Sequence, residues 1–112
     1  MTELLQVQTV TPTRDDAVAL ARSAVEAQLA AGAQIAGPVT SAFWHLGEFG
    51  TGEEWQVILK TTAEAYPALE QHLVDHHVWT NPEVTAVPLA RASAPYAEWV
   101  DRVTGKQLSD AG

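Results

Sequence analysis

The sequence predicts an α+β domain of order β-α-β-β-α-β, with a short helix at its C-terminal end. Three observations carry that prediction. Segments 15–31 and 66–77 repeat apolar residues at spacings of three and four, the period of one helix face. Segments 4–10, 33–45, 53–62 and 84–89 are rich in β-branched and aromatic residues or alternate in polarity, as strands do. Glycine, proline and asparagine fall mainly between these segments, where turns are needed.

Taken in order, residues 4–10 form the first strand, and Pro12 closes it. Thr13 then offers an N-cap hydroxyl with Asp16 three places on, a variant of the capping box that satisfies orphan amides and favours negative charge in the first turn. Val18, Ala21, Val25 and Leu29 line one face of the first helix, and its alanines let it lie close to a sheet. Gly32 stands where a C-terminal cap is expected. The second strand, 33–45, should bend at Gly37-Pro38, because proline donates no ladder hydrogen bond. Gly47, Gly50 and Gly52 mark the hairpin connection to the third strand, 53–62. Within it Trp55, Val57 and Leu59 face one way, and Gln56, Ile58 and Lys60 the other. Pro67 suits the start of the second helix, whose face is Tyr66, Leu69, Leu73 and His77. Pro88 marks the last strand, 84–89, as an edge or a bulge, and a short helix at 96–103 follows. The order is that of a ferredoxin-like split βαβ arrangement, as a single domain over residues 1–112.

Composition narrows the function classes. The net charge is −8 with only six Lys and Arg, so nucleic acid and anionic membranes are not expected partners. No apolar run approaches the roughly 20 residues of a membrane helix. The N-terminal residues lack the basic and apolar regions of a signal peptide, which makes the cytoplasm the expected compartment. With no cysteine, thiolate catalysis, thiolate metal sites and disulfides are all absent. Charged residues make up 18% of the chain, low for so small a surface, which suggests that other subunits cover part of it.

Four groups of residues could carry chemistry. His72 and His76 stand at i and i+4, so either they share an ion on one helix face or they are helix-end residues suited to the negative pole of the dipole. His77 lies nearer the apolar face. Lys60 sits on a central strand, where it either snorkels outward or lines a pocket for an anion or a carboxylate such as Glu83. The four tryptophans, Trp44, Trp55, Trp79 and Trp99, fit a core or a subunit interface better than ligand stacking. There is no phosphate-binding loop, dinucleotide fingerprint or nucleophile elbow, and no nucleophile-base pair; no catalytic residue is expected and the chain does not read as an enzyme.

The order Lys60-Thr61-Thr62, His77, Pro82-Glu83-Val84, Ala86-Val87-Pro88 and Tyr96-x-x-Trp99 resembles the CutA family of divalent-cation-tolerance proteins. Ala21-Arg22, Leu29-Ala30-Ala31, Ser41-Ala42-Phe43-Trp44 and Glu53-Glu54 add to the likeness, which spans roughly residues 5–103. The resemblance implies a homotrimer of ferredoxin-like subunits, similar in assembly to the nitrogen-regulatory PII proteins. It also implies tolerance or binding of divalent cations, copper in particular, with His77 matching a family ligand. The family's cysteine ligand falls at Gly32, so the implied site is weakened. Lys60, Glu83, Tyr96 and Trp99 match positions near an inter-subunit cleft, which on this resemblance is the place for a small anion. An alternative is a trimeric scaffold that binds another protein.

Overall fold

The computed structural model describes residues 2–111, with side chains through residue 105. The elements run β1 (Leu4–Thr11), α1 (Arg14–Glu26), β2 (Gly32–His45), β3 (Glu48–Thr62), α2 (Tyr66–His76), β4 (Thr85–Pro88) and α3 (Ala94–Ala111). The sheet order is β2-β3-β1-β4 with every neighbour antiparallel, the ferredoxin-like topology expected from the order of segments.

Helix α1 starts as the capping residues dictate. The Asp16 amide donates to Thr13 Oγ1 at 3.1 Å, and the Thr13 hydroxyl donates to the Asp16 carboxylate at 2.8 Å. It ends at Glu26, well short of the residue 31 expected from helical propensity. The left-handed cap is Gln28, with φ 60°, and not Gly32. Gln28 donates to Val25 O and Leu29 to Ala24 O, the bond pattern of a Schellman motif. The chain beyond is claimed by β3: the Ala31 amide donates to Lys60 O, and the buried Thr61 hydroxyl to Leu29 O. Gly32 is therefore the first residue of β2, opposite Lys60. The buried stripe of α1 is Ala17, Leu20, Ala21 and Ala24, rotated from the expected one, so Val18 and Val25 border an open groove with Gly32 and Ile35.

The β2-β3 hairpin is longer and tighter than expected. Leu46 and Gly47 alone form the turn, both with positive φ, a type I′ geometry that matches the strand twist. Strand β3 thus begins at Glu48, and Gly50 and Gly52 are strand residues beneath the Phe43 ring. The Gly37-Pro38 bend is present as a register shift between Ala36 and Val39. Gly37 lies against the Trp55 ring, where a Cβ would approach Cε3 to 2.8 Å.

Pro67 occupies the first turn of α2, and Thr62 Oγ1 accepts the Ala65 amide just before it. Strand β4 is the exposed edge that Pro88 implied, and α3 is longer at both ends than the predicted 96–103. Val7, Val57 and Leu59 pack with Leu20, Leu69 and Leu73 under α1 and α2. Leu4 points the other way and joins Ala31 and Val100 beneath α3, since neighbours on a strand face opposite sides. The rest of that second face, including Gln8, Val10, Ile58 and Lys60, is half-buried.

Candidate functional site

The C-terminal end of α2 gathers three of the four histidines beside α1. Leu69 and Leu73 anchor the helix in the core, and that phase turns His72 toward α1, where it is half-buried. Its Nε2 lies 2.9 Å from Ser23 Oγ, and the Ser23 hydroxyl has a second partner in Leu20 O at 2.9 Å. One turn on, the exposed His76 places Nδ1 2.8 Å from His72 O. A carbonyl only accepts, so His76 Nδ1 carries the proton and Nε2 keeps its lone pair. The two rings stack at 4.0 Å with 22° between their planes. Burial holds the His72 pKa below the ordinary histidine value; the neighbouring His76 adds to this, and Asp75 opposes it. A cleft of about 190 Å³ opens between these helices, lined by Asp16, Leu20, Ser23, His76 and His77 among others.

His77 differs from its neighbours. It falls just past the helix, in extended conformation, rather than on the helical face where the spacing put it. Its Nε2 lies 2.8 Å from Val10 O, while Nδ1 accepts the Trp79 amide at 3.0 Å. The proton is thus on Nε2 and the one lone pair of the neutral ring is already taken. Trp79 also stacks on the ring at 5.4 Å. This geometry suits an anchor tying the α2-β4 connection to β1, and it does not fit a ligand unless the Trp79 bond breaks. Among the described residues no three His, Cys, Asp or Glu side chains are grouped to hold an ion.

The other predicted residues divide between the two ends of the sheet. Gly32, Lys60, Gln6 and Val87 form one row across its second face. Trp99 joins that row, with its Cη2 3.6 Å from where a Gly32 Cβ would stand, and Tyr96 tilts against Trp99 at 5.7 Å. Lys60 is half-buried there, and the one ion pair among the described residues lies elsewhere, between Arg22 and Glu26. Glu83 is not with them: it is exposed, accepts from the Thr85 hydroxyl at 3.0 Å, and lies toward the Val10 end. Gly32 and His77 are likewise apart, because Gln6 and Val10 are four residues distant on β1, about 13 Å. Within one chain no single ion could reach both positions.

Sequence reasoning missed Ser23, whose partner His72 is 49 residues away with no local signal to link them. It also missed an aromatic cleft of about 460 Å³ between the hairpin and the α2-β4 connection, lined by Phe43, Trp44, Glu54 and Trp79.

Comparison with known proteins gives one consistent answer. The profile of the CutA1 divalent ion tolerance protein family matches residues 5–103. A divalent-cation tolerance protein CutA from Thermus thermophilus is 33% identical over 94 residues, covering 84% of this chain and 91% of that relative. The solved structure of a Cut A1 protein from the same organism superposes with a TM-score of 0.86 at 32% identity, over 94% of this chain and all of the other. The chloroplastic protein CutA 1 of Oryza sativa is 31% identical over 98 residues, 88% of this chain and 55% of the relative. The family's description names ion tolerance, not a class of reaction. No helix among the described residues is long and apolar enough to cross a membrane. Topology, matched residues and identity agree: the chain belongs to the CutA1 divalent ion tolerance protein family.

Proposed function

We propose that this protein binds a divalent transition-metal ion, copper being the family expectation, as a non-catalytic, cytoplasmic homotrimer. The observation that carries the reading is the pairing of His72 and His76 one turn apart near the C-terminal end of α2. Imidazole suits copper(II), zinc and nickel, and the negative pole of a helix favours a cation. With Gly32 in the family's cysteine position, no thiolate adds affinity or selects copper(I), so binding is weak and favours the borderline ions. Calorimetric titration of the protein with copper(II) and zinc tests this: a saturable isotherm is expected, and flat isotherms for both ions contradict it.

The trimer rests on the hairpin arm. Trp44, Leu46 and Phe49 are 76%, 89% and 64% exposed, more apolar surface than a free arm carries comfortably. A second reading is favoured by Lys60, half-buried without an ion-pair partner among the described residues and in the row that Trp99 joins. There a small organic anion would bind, in a PII-like manner between subunits. Thermal-shift screening should then find anions that raise the melting temperature, with Lys60→Ala abolishing the rise. Shifts that survive Lys60→Ala would exclude the lysine.

A further inference from the structure

We propose that the ion is held by His72 and His76 as a two-imidazole chelate, and that His77 is not a ligand. This rests on the cation-binding reading above and assigns its site.

Lone-pair accounting separates the three rings. His77 spends Nε2–H on Val10 O and its Nδ1 lone pair on the Trp79 amide, so nothing remains for an ion. His76 spends only Nδ1–H, on His72 O, which leaves Nε2 unprotonated and solvent-facing on an exposed side chain. A ring N–H fixed on a carbonyl is the arrangement that orients metal-bound histidines and raises the basicity of the other nitrogen. His72 is committed at Nε2, but only to Ser23 Oγ. Because the Ser23 hydroxyl donates to Leu20 O, His72 can turn its nitrogen to an ion without stranding a buried polar group.

The rings are also placed for chelation. They stand one turn apart on one helix, the i,i+4 spacing that brings two imidazoles within reach of one ion. The rings stack at 4.0 Å with 22° between their planes, so chelation requires His72 to turn away from Ser23 until the two in-plane lone pairs converge. Leu69 and Leu73, both fully buried, fix the phase of the helix that carries them. Asp16 lines the adjoining cleft, but among the described residues no third carboxylate or imidazole is grouped with the pair to hold an ion, so Asp16 supplies charge and not a third ligand. Water completes the coordination. Two neutral nitrogen donors select copper(II), nickel or zinc, and leave magnesium and calcium, which require oxygen ligands, unbound.

The test is titration of zinc chloride and copper(II) chloride into the intact protein and into His76→Ala, His72→Gln and His77→Ala, each checked for folding by circular dichroism. His76→Ala and His72→Gln should each lose at least tenfold in affinity, while His77→Ala binds as wild type even though its melting temperature falls. Magnesium chloride should give no heat with any of them. Saturable binding by the wild type that survives both His76→Ala and His72→Gln, or that disappears in a folded His77→Ala, overturns this assignment and leaves cation binding standing. A wild type that binds neither ion overturns both.

Discussion

Thr9 carries a hydroxyl with no partner among the described residues: its Oγ1 is buried on β1, on the face that α1 and α2 cover. A buried polar group left unpaired costs about 1–3 kcal/mol. Thr9→Val keeps the branched shape and removes the orphan, so it should stabilise the fold by about 1 kcal/mol. The readout is a higher urea midpoint at unchanged slope and fixed protein concentration. Tyr66 has the opposite situation, a strong partner. Its hydroxyl donates to Glu70 at 2.7 Å, and burial, that bond and the Glu70 charge together push its pKa from 10.0 to about 12. The unfolded chain releases this proton near pH 10, so between pH 10 and 12 the native state holds more protons and stability falls as pH rises. Tyrosinate absorbance should show one late step that Tyr66→Phe removes and Glu70→Gln shifts downward. If the late step persists in Tyr66→Phe, the assignment fails. At this scale the Thr13 cap and the Pro67 start were legible because both act within one helical turn. The proton positions on His72, His76 and His77 were not legible, since they depend on Ser23, Val10 and backbone carbonyls that only the fold brings near.

Single elements show where local propensity yields to tertiary bonds. Residues 27–31 are good helix formers, yet α1 stops at Glu26 because the Thr61 hydroxyl and the Lys60 carbonyl take Leu29 and Ala31 into the sheet. In the Lys60-Thr61-Thr62 segment the two threonines are therefore structural: one holds the α1-β2 turn and the other the entry to α2. The β2-β3 turn was hidden for a different reason. Leu46 adopts a positive φ where asparagine is usual, while Gly50 and Gly52 imitate a loop and instead make room for Phe43. The bulge at Gly37-Pro38 was legible, and Gly37→Ala should cost about 1–3 kcal/mol by driving a Cβ against the Trp55 ring. Leu73→Ala should cost about 2–5 kcal/mol, because Leu73 is fully buried and α2 has no side-chain cap to compensate. Chemical denaturation reads both; a Gly37→Ala chain as stable as wild type would show that the ring moves aside freely.

For the whole molecule, the β-α-β-β-α-β order made the topology legible: only β2 and β3 pair as sequence neighbours through a tight turn, while the two helical crossovers bring β1 between β3 and β4. The arm was less so, because nothing in its composition says that Trp44 and Leu46 stand in solvent on a single chain. If the trimer covers them, sedimentation equilibrium should give three times the mass of one chain, and Trp44→Glu should shift that toward the monomer. A wild-type protein that sediments as a monomer contradicts the trimer. The Gly32 and His77 positions lie about 13 Å apart along the sheet, so the proposed chelate is drawn from α2 alone. The most direct test is the anomalous difference density of crystals soaked in copper(II). A peak about 2 Å from His76 Nε2 and within ligand distance of His72 is the expected result. Density centred on His77, or none beside α2 at an ion concentration that saturates the calorimetric signal, would contradict the account.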